Sequence, residues 1–199
     1  HAVFGIESSN GYILIGKSLD ETGNENGFAL KMSKGLPSKK LFLHPDENKS
    51  YEWSIVLGKP DRRDGFNSAA IIENDIFIAG FEESKEGVID RHLVKVRLND
   101  GKVLWKQSYA SEKKKASSSF ESVIVTSAGG ILLTGVKNAS YDEIEGFKSY
   151  GNPSGGNAFS MYFSHNKISS ETPPKSPTWE SVYDSFISGK SVKEISDTG

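Results

Sequence analysis

The chain has 199 residues, a formal net charge of −2, a pI near 6.1 and 36% hydrophobic residues, enough apolar content for one globular domain with its own core and too much for a wholly disordered chain. Lys and Arg are spread along the sequence, so no electrostatic footprint for nucleic acid is present. No apolar run approaches the roughly 20 residues that a membrane-spanning helix needs, and the absence of cysteine removes disulfides, thiolate nucleophiles and cysteine-ligated zinc together.

The sequence opens at His1 and enters a strand at Ala2, as the remainder of a longer or processed protein would. AVFGIES, a turn at Ser9-Asn10-Gly11 and YILIGKS read as a hairpin. The polar loop LDETGNEN leads to GFALKMS, then a loop with Pro37 and Pro45, then YEWSIVLG with Trp53. The second unit is the cleanest. Asn67 to Ile72, a turn at Glu73-Asn74-Asp75 and Ile76 to Phe81 form one hairpin. Leu93, Val94, Val96 and Leu98, then Asn99-Asp100-Gly101 and Val103-Leu104-Trp105, form another, with Asn, Asp and Gly supplying the backbone freedom of a tight reversal. The third unit begins at Phe120 to Val125, turns at Ser127 to Gly130, returns through Ile131 to Val136, and resumes at NAFSMYFS after an insert from Lys137 to Gly156.

Four short antiparallel strands in about 45 residues is the size of one propeller blade. The spacing therefore predicts an all-β fold of three four-stranded antiparallel sheets, with blades at about 1–58, 64–109 and 119–164. Gly16 and Gly80 each follow an apolar triplet, Gly135 follows Ile131-Leu132-Leu133 with Thr134 between, and the three register the repeat; a glycine inside a strand marks close backbone approach. Trp53 and Trp105 stand in corresponding last strands, which favours packing between blades over sugar-stacking platforms.

The pattern from Arg91 to Tyr109, with Asp64-Gly65-Phe66-Asn67-Ser68 and Ile78-Ala79-Gly80 before it, resembles the repeat of bacterial-type PQQ-like or WD40-like β-propellers. The resemblance covers most of residues 1–164. It implies a non-catalytic, commonly exported propeller used for binding or scaffolding, and no blade supplies the residues of a quinone site. Three blades do not close a ring of the usual four to eight, so protein partners or further blades are expected to complete it.

Residues 165–176, polar and proline-bearing, read as a linker. In 177–199, Trp179, Val182, Tyr183, Phe186 and Ile187 fall at the spacing of one helix face, with Pro177 near the first turn and Gly189 after the last, predicting a short amphipathic interaction helix. Ser191 caps a possible second turn. FISGKSVKEIS is faintly similar to the opening of helix-turn-helix modules, which makes a DNA-binding regulator the third functional alternative.

No chemical constellation stands out. His1, His44, His92 and His165 lack metal-ligand spacing. Asp20 to Asn26 alternates oxygen-bearing side chains but lacks the glycine and glutamate of a calcium loop. Gly129-Gly130 and Gly155-Gly156 lack the helix of a phosphate loop, Lys113-Lys114-Lys115 reads as a solvated loop, and Asp197-Thr198-Gly199 is a chance match to a protease tripeptide. Asn48 and Asn138 head glycosylation sequons in what read as polar loops. The expectation is a non-enzymatic binding or scaffolding module, part of a larger extracytoplasmic protein or assembly, with no cofactor, catalytic residue or metal ligand. A quinone-dependent or glycan-active propeller enzyme is the alternative.

Overall fold

A computed structural model describes residues 2–34, 51–110, 116–139 and 156–183. β1 (Ala2–Ser8), β2 (Gly11–Leu19), β3 (Glu25–Ser33) and β4 (Trp53–Leu57) form the first sheet. β5 (Asp64–Ile72), β6 (Asp75–Glu83), β7 (Ile89–Arg97) and β8 (Val103–Tyr109) form the second. β9 (Ser117–Val125), β10 (Ile131–Ala139), β11 (Asn157–Phe163) and β12 (Trp179–Tyr183) form the third, with the short helix α1 (His165–Ile168) between its last two strands. Within each sheet the strands lie in sequence order and each is antiparallel to the next. The fold is all-β.

Alternation in the second sheet decides how the sheets stack. Its odd and even side chains are both apolar, so both faces must be covered. Phe66, Ala69, Ile76, Ile78, Val94 and Val96 pack with Ile13, Ile15, Ala29 and Trp53 of the first sheet. Ala70, Phe77, Ala79, Leu93, Trp105 and Tyr109 pack with Phe120, Val123, Leu133, Phe159, Met161 and Phe163 of the third. Phe77 and Ile78 are adjacent in sequence and fully buried on opposite faces, each such side chain worth about 1.5–3 kcal/mol removed from water. β5 lies against the first sheet and β9 against the second, so each sheet leads with its first strand into the one before it.

The strand glycines have a shared geometric cause. In each sheet the ladder between the first two strands slips by one residue beside the glycine: Ala2 pairs with Gly16 but Phe4 with Ile15, Phe66 with Gly80 but Ser68 with Ala79, and Phe120 with Gly135 but Ser122 with Thr134. The bulged strand presses its backbone into the space of a side chain. A Cβ at Gly80 would sit 1.9 Å from the Gly65 carbonyl oxygen, and one at Gly135 would sit 2.0 Å from that of Ser119. The bulges also reach the next sheet, because the bulged residue Asn67 donates its side-chain amide to Phe120 O at 2.8 Å and Val123 N donates to Ser68 Oγ at 3.1 Å.

One expectation for the end of the chain is corrected. Trp179 to Tyr183 is a strand, not the start of an amphipathic helix: it pairs antiparallel with β11, Trp179 opposite Tyr162 and Tyr183 opposite Ala158. An available ladder edge on β11 satisfies its backbone groups in register, and period-two alternation then places Trp179, Ser181 and Tyr183 on one face. Phe186, Ile187 and the rest of the expected tail lie outside the described residues. Residues 165–176, read as a linker, pack against the sheets they follow. Ile168 is buried, Trp105 Nε1 donates to Ser170 O at 3.2 Å, Tyr109 Oη donates to Pro174 O at 2.7 Å, and Lys95 Nζ donates to Ile168 O at 3.0 Å, so this strap closes the junction between the second and third sheets.

Candidate functional site

Ladder register brings three titratable side chains together at the junction of the first and second sheets. Asp64 at the start of β5 stands opposite Glu82 on β6, while His92 on β7 stands opposite Gly80 and Ser108. The segment after β4 supplies Lys59, whose backbone N–H donates to Asp64 Oδ2 at 3.0 Å and whose ammonium pairs with Glu82. His92 Nδ1 lies 2.9 Å from Ser108 Oγ and 3.3 Å from Glu82 Oε2. Leu57, Phe66 and Lys106 complete the wall.

Burial, reinforced by the Glu82 charge, pushes the Asp64 carboxyl up to about 6, against the opposing hydrogen bond from Lys59. Burial also pushes His92 down to about 4, outweighing the attraction of Glu82. Burial acts to raise Glu82 as well, but the Lys59 hydrogen bond and the nearby His92 and lysines hold it below the usual carboxylate range. A carboxyl tuned close to neutrality beside an ionised one is the arrangement that proton transfer uses. Here the cavity among these groups has a volume of about 10 Å³, about the room one water molecule needs. Hydrogen bonds and ion pairs inside the protein already engage the two carboxylates and the imidazole.

A second charged cluster joins β12 to the rest. Glu180 Oε1 accepts from Arg91 Nη1 at 2.9 Å and from Lys137 Nζ at 2.8 Å. The Arg91 guanidinium lies 4.9 Å from the Phe159 ring centre and 5.9 Å from that of Phe120. Burial raises the Glu180 carboxyl, and the two cations more than reverse that shift. Lys95, 2.9 Å from Asp75, anchors the strap in a similar way.

The third feature is a repeated indole. Trp53 opposite Lys31, Trp105 opposite Lys95 and Trp179 opposite Tyr162 hold the same ladder position, three residues after the partner of each strand glycine on the third strand. Trp53 Nε1 donates to Leu98 O at 3.0 Å and Trp105 Nε1 to Ser170 O, so in both cases the acceptor lies between the third and fourth strands of the following sheet. Trp179 is 44% exposed and stacks on Tyr162 at 5.8 Å.

Of the residues singled out in the sequence, Gly16, Gly80 and Gly135 sit beside bulges, and Trp53 and Trp105 are buried between sheets. Trp179 and Tyr183 share the outer face of the third sheet, while Val182 points with Glu180 to the opposite face. Asn138 is in β10 rather than a polar loop, half-buried and with a positive φ of 60°, because the strand continues to Ala139; Asn48 lies outside the described residues. In the Asp20 loop the carboxylate accepts hydrogen bonds from Thr22 and Asn24 through Oδ1 and from Asn26 through Oδ2, and these hold Asp20 down to about 2. That loop is an Asx-type turn closed on itself. Among the described residues no group of three His, Asp or Glu side chains is placed to hold a metal, and no helix is long and apolar enough to cross a membrane.

Nothing in the spacing of Asp64, Glu82 and His92 marks them as neighbours. The register set by the Glu73-Asn74-Asp75 turn, followed outward, pairs Asp64 with Glu83, and only the one-residue slip of the bulge between Phe66 and Ser68 brings it opposite Glu82. No protein-family model matches this chain, and no curated protein sequence matches it.

Proposed function

We propose that the three sheets are successive blades of a PQQ-like or WD40-like propeller array and that the chain is a binding or scaffolding module, not an enzyme, within a larger extracytoplasmic assembly. The observation that carries this reading is the repeated tie from the last-strand tryptophan of one sheet to a backbone carbonyl of the next. Such a relation makes each sheet depend on its neighbour, which is the construction of repeat arrays whose connecting loops and end surfaces carry recognition.

The enzyme reading has one observation in its favour, the raised Asp64 beside Glu82 and His92. The cavity beside them is water-sized, far below the few hundred Å³ (roughly 300 or more) of an ordinary ligand pocket. Cross-linking of the full protein in its natural host, mapped by mass spectrometry, separates the two. Reproducible cross-links to another protein chain, retained in Asp64→Asn and His92→Gln along with the host phenotype, are expected. A protein that cross-links to nothing, and whose function in the host disappears in Asp64→Asn, would overturn the scaffold reading in favour of catalysis.

A further inference from the structure

The outer face of the third sheet repeats, position for position, the faces that the first two sheets bury. Ladder register aligns Ile13, Ala29 and Trp53 with Phe77, Leu93 and Trp105, and with Leu132, Ser160 and Trp179. On the first two faces the indole N–H finds a carbonyl in the following sheet. On the third, Trp179 Nε1 has no hydrogen-bond partner among the described residues, and Tyr183 beside it is 41% exposed.

The first sheet offers the complement. Its inner face meets the second sheet through Ile13, Ile15, Trp53 and Ile55, so Tyr12, next to Ile13, and Val56, next to Ile55, face outward at 44% and 61% exposure. Lys34 follows β3 as Leu98 follows β7: Lys34 N donates to Asn10 O at 3.3 Å, and Leu98 N to Asn74 O at 2.8 Å. The Lys34 carbonyl thus holds the position from which the Leu98 carbonyl receives Trp53. Of the six large hydrophobic side chains exposed among the described residues, four lie on these two faces, two on each, as the halves of one interface would.

We propose that the Trp179 face of one chain seats the first sheet of a second copy, with Trp179 Nε1 donating to the Lys34 carbonyl of that copy. This rests on the blade reading above and names its partner. Because the two faces differ, the contact is head-to-tail, and it stays finite only if the rotation closes. Two copies of the three described sheets, joined at two such junctions, give six sheets, within the four to eight of radial arrays.

The test combines solution mass with acrylamide quenching of the full chain. The wild type should have twice the 21.7 kDa of one chain, with its three tryptophans shielded together, and dilution should expose one of them. Trp179→Phe should remove that dilution-exposed emission. Trp179→Ala on one face and Val56→Asp on the other should each give the mass of one chain, so that a folding defect in either variant alone does not decide the matter. A single-chain mass at every concentration, or a pair in which Trp179 remains quenchable, overturns the proposal. Trp53 and Trp105 staying shielded in either event leaves the blade reading standing, whereas quenching of those two in undiluted wild type brings down the blade reading itself.

Discussion

Trp105 shows what a single residue contributes here. It is 5% exposed, meets Phe77 at 6.1 Å between ring centres, and fixes the strap through Ser170. Trp105→Ala should cost roughly 3–5 kcal/mol, as large aromatic truncations in cores do. An unchanged denaturant midpoint would contradict its place in the core. Asp64 and His92 make a paired prediction in pH. Between the ordinary 3.8 and about 6, the unfolded chain releases an Asp64 proton that the fold keeps, so stability falls as pH rises. Between 6.5 and about 4, the unfolded chain binds a His92 proton that the fold refuses, so stability falls as pH drops. The wild type therefore sums two opposed slopes. Asp64→Asn should leave a melting temperature that climbs from pH 4 to 6.5, and His92→Gln one that declines from pH 4 to 6; matching flat profiles in both variants would contradict the burial of this cluster. The tryptophans at 53 and 105 were legible in the sequence because each follows a recognisable strand. Asp64, Glu82 and His92 were not, since only the ladder brings residues so far apart in sequence together.

At the scale of the element, the bulges and β12 carry the consequences. Gly80→Ala would drive a methyl group into the Gly65 carbonyl. It should destabilise the protein by about 1–3 kcal/mol or more, the range of overpacking, and Gly23→Ala, where nothing lies within 4 Å of the added carbon, supplies a comparison limited to backbone strain at its φ of 80°. Both are read as denaturant midpoints. Glu180 holds β12 by accepting from Arg91 and Lys137. Glu180→Gln should approach the roughly 3–5 kcal/mol of breaking a buried pair, and loss of amide exchange protection should begin at β12. Protection in β12 unchanged would mean that the ladder alone holds it. With Glu180 held low, its contribution is complete above the ordinary 4.5 and is lost as pH falls through the folded value. Eleven of the strands follow from alternation and turn residues. β12 escaped because Trp179, Val182 and Tyr183 fit a helical stripe as well as Trp179, Ser181 and Tyr183 fit a strand, and the ladder partner that decides between them arrives from β11.

For the whole molecule, the stacking order follows from composition. The second sheet is apolar on both faces and must lie between the others, whereas the outer faces keep exposed aromatic and aliphatic side chains. The repeat could be read from Gly16, Gly80 and Gly135, but the third tryptophan of the series was hidden by the strap that precedes it. On the proposed construction each sheet is tied to a following one through its last-strand indole, the third sheet included. The most direct measurement is an experimental density map of the intact protein, read for the distance from Trp179 Nε1 to the nearest backbone carbonyl outside its own sheet. A carbonyl within about 3.2 Å, set between the third and fourth strands of another sheet, is the predicted result. An indole turned to water with no sheet packed on that face would rule out such a tie for the third sheet.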